Sequence, residues 1–261
     1  MVLGTLDEID LFDWFRRREP LATLGGSIFV YDVAAREPGE WMAHCAVPGR
    51  LLDDAPAEAL VGGQGLRHVT FDCATSWVFP GESPGWYVLP PGKSWLGDWL
   101  GAHRPEVVYH HRANAYGPAY EIAYWPGGGG GLLLPCGGAG EGIASCADSD
   151  GVQSYEGEPG GAAELRGYGA RGAEWMTLWQ VEQATAAPLS VQGHLIAADG
   201  TRLVADGLGY SADQWQPGDW FAQRHVFAVP GDTLETGLYD YVTLGHAGPT
   251  STLTADRATH D

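Results

Sequence analysis

Basic residues are scarce in this 261-residue chain, with 14 Lys and Arg against 33 Asp and Glu and a formal net charge of -19. Such a field repels phosphate backbones and anionic membrane surfaces within a Debye length, which excludes nucleic acid as a partner. Long apolar runs are missing too. No stretch approaches the ~20 residues needed to cross a bilayer, and Met1 to Glu8 lacks the basic and apolar regions of a signal peptide, so the chain reads as soluble as it stands. Cysteine is limited to Cys45, Cys73, Cys136 and Cys146. None stands in a Cys-x-x-Cys pair, which disfavours zinc, and no metal or cofactor is expected. Of the three possible connectivities, pairing Cys45 with Cys73 and Cys136 with Cys146 keeps each disulfide within one expected domain; buried free thiols are the cytosolic alternative. Ser76 and Ser94 stand in no Gly-x-Ser-x-Gly elbow, and Gly62-Gly-Gln-Gly65 lacks the strand-to-helix context of a dinucleotide loop.

What is present is the pattern of a globular protein, 44% hydrophobic and 18% charged, long enough for two domains. Residues 1–126 alternate short strands with short helices. Glu8 to Arg18 has near-helical apolar spacing, Ser27 to Val33 reads as a buried strand, and Leu51 to Leu60 opens as a helix with Pro56 in its first turn. Strands follow at Arg67–Asp72, Ser76–Phe79, Gly85–Pro90, Val107–Tyr109 and Ala119–Tyr124, with a helix around Trp95 to Leu100. This predicts a small mixed α/β domain. Residues 127–161, opening on five glycines, read as a Gly-rich linker or long loop. Residues 162–246 alternate as antiparallel strands with a hairpin signal at Asp199-Gly200, which predicts a jelly-roll-like β-sandwich. The expected class is therefore α+β followed by all-β, and residues 247–261 form a loose tail.

The densest run of strands and corners extends from Leu203 to Tyr241. Its segments Gly209-Tyr-Ser-Ala-Asp-Gln-Trp-Gln-Pro-Gly-Asp219, Gln223-Arg-His225 and Thr236-Gly-Leu-Tyr-Asp240 resemble the C-terminal extracytoplasmic module of bacterial dolichyl-phosphate-mannose mannosyltransferase-like polytopic membrane proteins. The likeness continues through Gly25 to Asp32 and Val69 to Phe79, and so covers most of the chain. It implies an extracytoplasmic β-sandwich ectodomain whose only membrane contact would run through a missing transmembrane region. The family's catalytic acids lie in its membrane-embedded half and have no counterpart here, so transferase activity is not implied.

Trp215 and Trp220 flank the turn at Pro217-Gly218. A tryptophan face stacks on a sugar ring while neighbouring polar groups bond its hydroxyls. Trp215, Trp220, Asp213, Gln214, Asp219 and Tyr239 therefore form the expected ligand-binding group, with carbohydrate as partner and extracytoplasmic recognition as function. The bland alternative makes Trp215 a cover for the end of the sandwich. A glycoside hydrolase needs two carboxylates facing one cleft, and Asp240 with Glu235 is the pair to test. A structural ectodomain without ligand is the third reading. His110 and His111 are adjacent on a strand, point to opposite faces and cannot share a metal; His68, His194 and His225 read as structural.

Overall fold

The computed structural model describes residues 13–16, 18–32, 36–92, 104–115, 117–128, 134–135, 144–145, 152–154, 161–197, 199–231, 233–242, 245–246 and 251–254. The protein is mostly β, with 48% of the described residues in strands and 7% in helices. In chain order the elements are α1 (Asp13–Arg16), β1 (Ala22–Leu24), β2 (Ile28–Val30), β3 (Trp41–Cys45), α2 (Asp54–Val61), β4 (Arg67–Phe71), β5 (Ser76–Phe79), β6 (Gly85–Leu89), β7 (Glu106–His111) and β8 (Tyr120–Trp125). They continue with β9 (Leu134–Pro135), β10 (Ala144–Ser145), β11 (Val152–Ser154), β12 (Ala163–Arg171), β13 (Glu174–Val181), β14 (Leu189–Ile196), β15 (Arg202–Val204), β16 (Trp220–Val226), β17 (Thr233–Asp240), β18 (Gly245–His246) and β19 (Ser251–Thr254). The chain divides into two compact units, one of residues 1–68, 83–93 and 105–127, the other of 69–82, 94–104 and 128–261. No helix among the described residues is long and apolar enough to cross a membrane. Cys45 and Cys73 are disulfide-bonded, the pairing favoured among the three connectivities. Cys136, Cys146, the helix expected near Trp95 and nearly all of the Gly-rich stretch lie outside the described residues.

The first unit is built on a sheet in the order β4-β3-β6-β8-β7. β3 and β6 run parallel, with Trp41 beside Gly85 and His44 beside Val88, and β6, β8 and β7 are antiparallel neighbours. Every residue of β3 is buried, His44 included, as befits a central strand covered on both faces. α2 packs on this core through Ala57, which joins Met42, Trp86, Val88, Tyr120, Ile122 and Tyr124. The helix expected from Leu51 begins at Asp54, with Pro56 in the first turn where a missing N–H costs nothing. It stops at Gly62, whose φ of 67° is left-handed, with the Gly63 N–H donating back to Glu58 O at 3.1 Å. The stretch expected as a buried strand at Ser27 to Val33 is instead one arm of the β1–β2 hairpin, with Ile28 and Phe29 largely exposed. Gly25 and Gly26 both have positive φ and turn the chain back before it can enter a sheet.

The second unit holds two sheets, β5-β16-β13-β12-β10-β9 and β11-β19-β17-β14-β15, with β18 alongside β17. β13 is apolar on both faces and buried on both, Trp175, Trp179, Met176 and Leu178 alike. The Asp199-Gly200 signal does produce the β14–β15 hairpin, with Gly200 at φ 83° and the Ala197 N–H donating to Thr201 O. Within the segment expected to be a loose tail, Ser251 to Thr254 form β19, and Leu253 opposite Leu234 is fully buried.

Candidate metal centre

The residues expected to bind sugar do not present a platform. Trp215 and Trp220 are buried, as is Asp219. The turn at Gly218, φ 90°, folds the crossing inward, and the Asp219 carboxylate accepts from Tyr210 Oη at 2.8 Å and from the Gln216 N–H at 2.9 Å. Trp215 then stacks on Phe221 with centroids 5.1 Å apart and donates its indole N–H to Tyr210 O. Its apolar face serves the core, because a ring enclosed by Tyr210 and Phe221 gains more from leaving water than from facing it. Gln214 is engaged with the Thr70 backbone, Asp213 is exposed beside Ser211, and Tyr239 is half-buried. Glu235 and Asp240 lie on one regular strand, opposite His194 and Leu189 respectively. An odd separation of five residues puts them on opposite faces of β17 and roughly 17 Å apart along it, too far for a hydrolase pair. Glu235 is instead ion-paired with Arg202.

A different group converges in the first unit. His44 comes from the buried centre of β3, His68 from the adjacent β4, and Asp54 from the first turn of α2. His44 Nε2 is 3.0 Å from His68 Nδ1, His68 Nδ1 is 2.7 Å from an Asp54 carboxylate oxygen, and His44 Nε2 is 3.4 Å from that same oxygen. The three donor atoms all lie within 4.8 Å of one another. In a tetrahedral site with metal–ligand bonds of about 2.0–2.1 Å, ligand atoms stand roughly 3.3 Å apart. The observed triangle is of that size.

α2 presents Asp54 and Glu58 one turn apart, hence on one face, and His68 is held between them. Its Nδ1 meets Asp54 and its Nε2 lies 3.0 Å from Glu58 Oε1. Glu58 is itself fixed by the Leu66 N–H at 2.9 Å. The His68 hydrogen bond, followed by this backbone N–H, holds the Glu58 carboxyl below its usual value, so the group stays ionised and orients the imidazole. A ligating histidine whose outer nitrogen donates to a carboxylate is the usual supporting arrangement at a metal. Burial, aided by the Arg50 and His68 charges, pushes His44 down from 6.5 to about 4, which keeps its ring neutral near pH 7. Arg50 donates through Nη2 to the same Asp54 oxygen that meets the two imidazoles, and through Nε to Leu52 O.

Sequence reasoning treats His68 as structural and singles out neither His44, Asp54 nor Glu58. Their spacings of 10 and 14 residues match no ligand motif. The only local signal was the pair of carboxylates at i and i+4 on an expected helix. His110 and His111 do point apart as expected, His110 to Glu121 and His111 to Tyr120 and Asn114. Comparison with protein-family models, curated proteins and solved structures finds no match.

Proposed function

We propose that the protein is an extracytoplasmic binding module whose ligand is a divalent transition-metal ion, held by His44 Nε2, His68 Nδ1 and a carboxylate oxygen of Asp54. The observation that carries this is the convergence of two imidazole nitrogens and a carboxylate from three separate elements at ligand-to-ligand spacing. The donor set is suited to zinc, whose sites mix imidazole and carboxylate. The disulfide supports an oxidising compartment, in keeping with the ectodomain resemblance. A cation also suits the charge balance of -19 better than any anionic partner does. Recognition thus remains the function, with an ion in place of the sugar.

Calorimetry on protein stripped with chelator and dialysed decides it. One equivalent of zinc should bind, and His44→Ala and Asp54→Ala should each weaken it at least tenfold, a loss of about 1.4 kcal/mol or more. Glu58→Gln should cost about 10–100-fold, since it removes only the outer support of His68. A wild-type protein that takes up no zinc or cobalt ends this reading.

A further inference from the structure

We infer that the ion at this site shares an oxyanion of phosphate type with the guanidinium of Arg50, an inference that rests on the metal reading above. Three protein donors satisfy only part of a four-coordinate shell, and among the described residues no other His, Cys, Asp or Glu offers a ligand atom to the group. Glu58 is committed to His68 and to the Leu66 N–H. The remaining ligand must come from outside, and burial dictates from where. The His44 side chain is 1% exposed, whereas Asp54 is 49% and Arg50 38% exposed. Anything reaching the ion passes over Asp54 and beside Arg50.

Arg50 is prepared for that ligand. Its Nε is tied to Leu52 O at 3.2 Å and its Nη2 to Asp54, which fixes the plane of the guanidinium and removes most of the rotamer entropy that an exposed arginine loses on binding. A guanidinium has five N–H donors and these two contacts use two of them. Nη1 remains to donate, and the guanidinium fork matches the oxygens of phosphate or carboxylate. Charge selects the class further. A divalent ion and one guanidinium stand against the carboxylates of Asp54 and Glu58, so the group keeps one excess positive charge on a protein that is strongly negative as a whole. An oxyanion that bridges the ion and Arg50 neutralises that excess; a neutral sugar hydroxyl does not. Phosphate fits it better than a carboxylate does, because it can give one oxygen to the ion and still offer others to the guanidinium.

Cobalt-loaded protein provides the test, because the visible bands of the ion report changes in its own coordination. Inorganic phosphate should shift those bands saturably in the wild type, and acetate should need at least tenfold higher concentration for the same effect. At cobalt concentrations that saturate each protein, Arg50→Gln should respond to phosphate at least tenfold more weakly than the wild type, with Arg50→Lys in between because it keeps the charge and loses the fork. Phosphate that leaves the wild-type spectrum unchanged at millimolar concentration, or that acts equally on Arg50→Gln, overturns the oxyanion inference while the metal site stands. Failure to bind cobalt at all removes both.

Discussion

His225 lies wholly inside the second unit, its Nδ1 3.0 Å from Ala205 O and its Nε2 3.1 Å from Thr177 Oγ1. Thr177 also accepts from the Trp179 indole at 2.9 Å, so the group is a closed internal network. Burial pushes the imidazole down from 6.5 to about 4. The native state therefore refuses a proton that the unfolded chain accepts, and stability present above pH 6.5 is lost as the pH falls from there towards 4. The full loss is roughly 3 kcal/mol at about 1.36 kcal/mol per pH unit. Urea midpoints should fall between pH 7 and pH 4.5, and His225→Asn should flatten that dependence; an unchanged slope in the variant would place the acid sensitivity elsewhere. Trp215 gives a second residue-level expectation, the reverse of the one its sequence position suggests. Trp215→Ala should cost about 3–5 kcal/mol of stability by opening a cavity against Phe221 and Tyr210. Chemical denaturation measures it, and a loss under 1 kcal/mol would contradict the buried placement. The first outcome follows from Ala205, 20 residues from His225 in sequence, and the second from Phe221, close in sequence to Trp215 but brought onto it by the turn at Gly218.

Among elements, the pair β3 and β6 decides the position of His44. Gly85 sits beside Trp41 in the parallel register, and a Cβ added there would lie 2.1 Å from the indole ring carbons. The Trp41 ring is in turn held by its N–H to Ser83 O at 2.9 Å and by edge contact with Tyr87, so it cannot move aside cheaply. Gly85→Ala should destabilise the fold by about 1–3 kcal/mol or more and weaken metal uptake along with it; thermal melting of the variant checks the first effect. A melting point equal to that of the wild type would mean that the strands separate without loss. Most elements were legible from periodicity and corner residues: α2 from Pro56 and its apolar spacing, β13 from its aromatic run, the β14–β15 hairpin from Asp199-Gly200. The order of strands within a sheet was not, because pairing such as β5 with β16 joins residues well over a hundred positions apart and depends on contacts that no local window contains. The β1–β2 hairpin misleads in the opposite direction, since its composition is that of a buried strand while its two glycines keep it outside.

For the whole molecule the Cys45–Cys73 disulfide closes a long loop and limits the unfolded ensemble. In the chain-entropy account such a loop is worth about 3–4 kcal/mol. Non-reducing peptide mapping should find the two cysteines joined, and reductant should lower the melting temperature; free Cys45 and Cys73 in oxidising buffer would count against both the disulfide and the extracytoplasmic setting. The sequence by itself determined many of the strands, the corners, the presence of α2 and the acidic charge, because each follows from residue type, spacing or a sum over residues. Only the tertiary structure decided that Trp215 and Trp220 face inward and that His44, Asp54 and His68 meet. Those three residues come from neighbouring strands and from the helix between them, and their donor atoms fall within ligand distance only once β3, β4 and α2 have packed around Ala57.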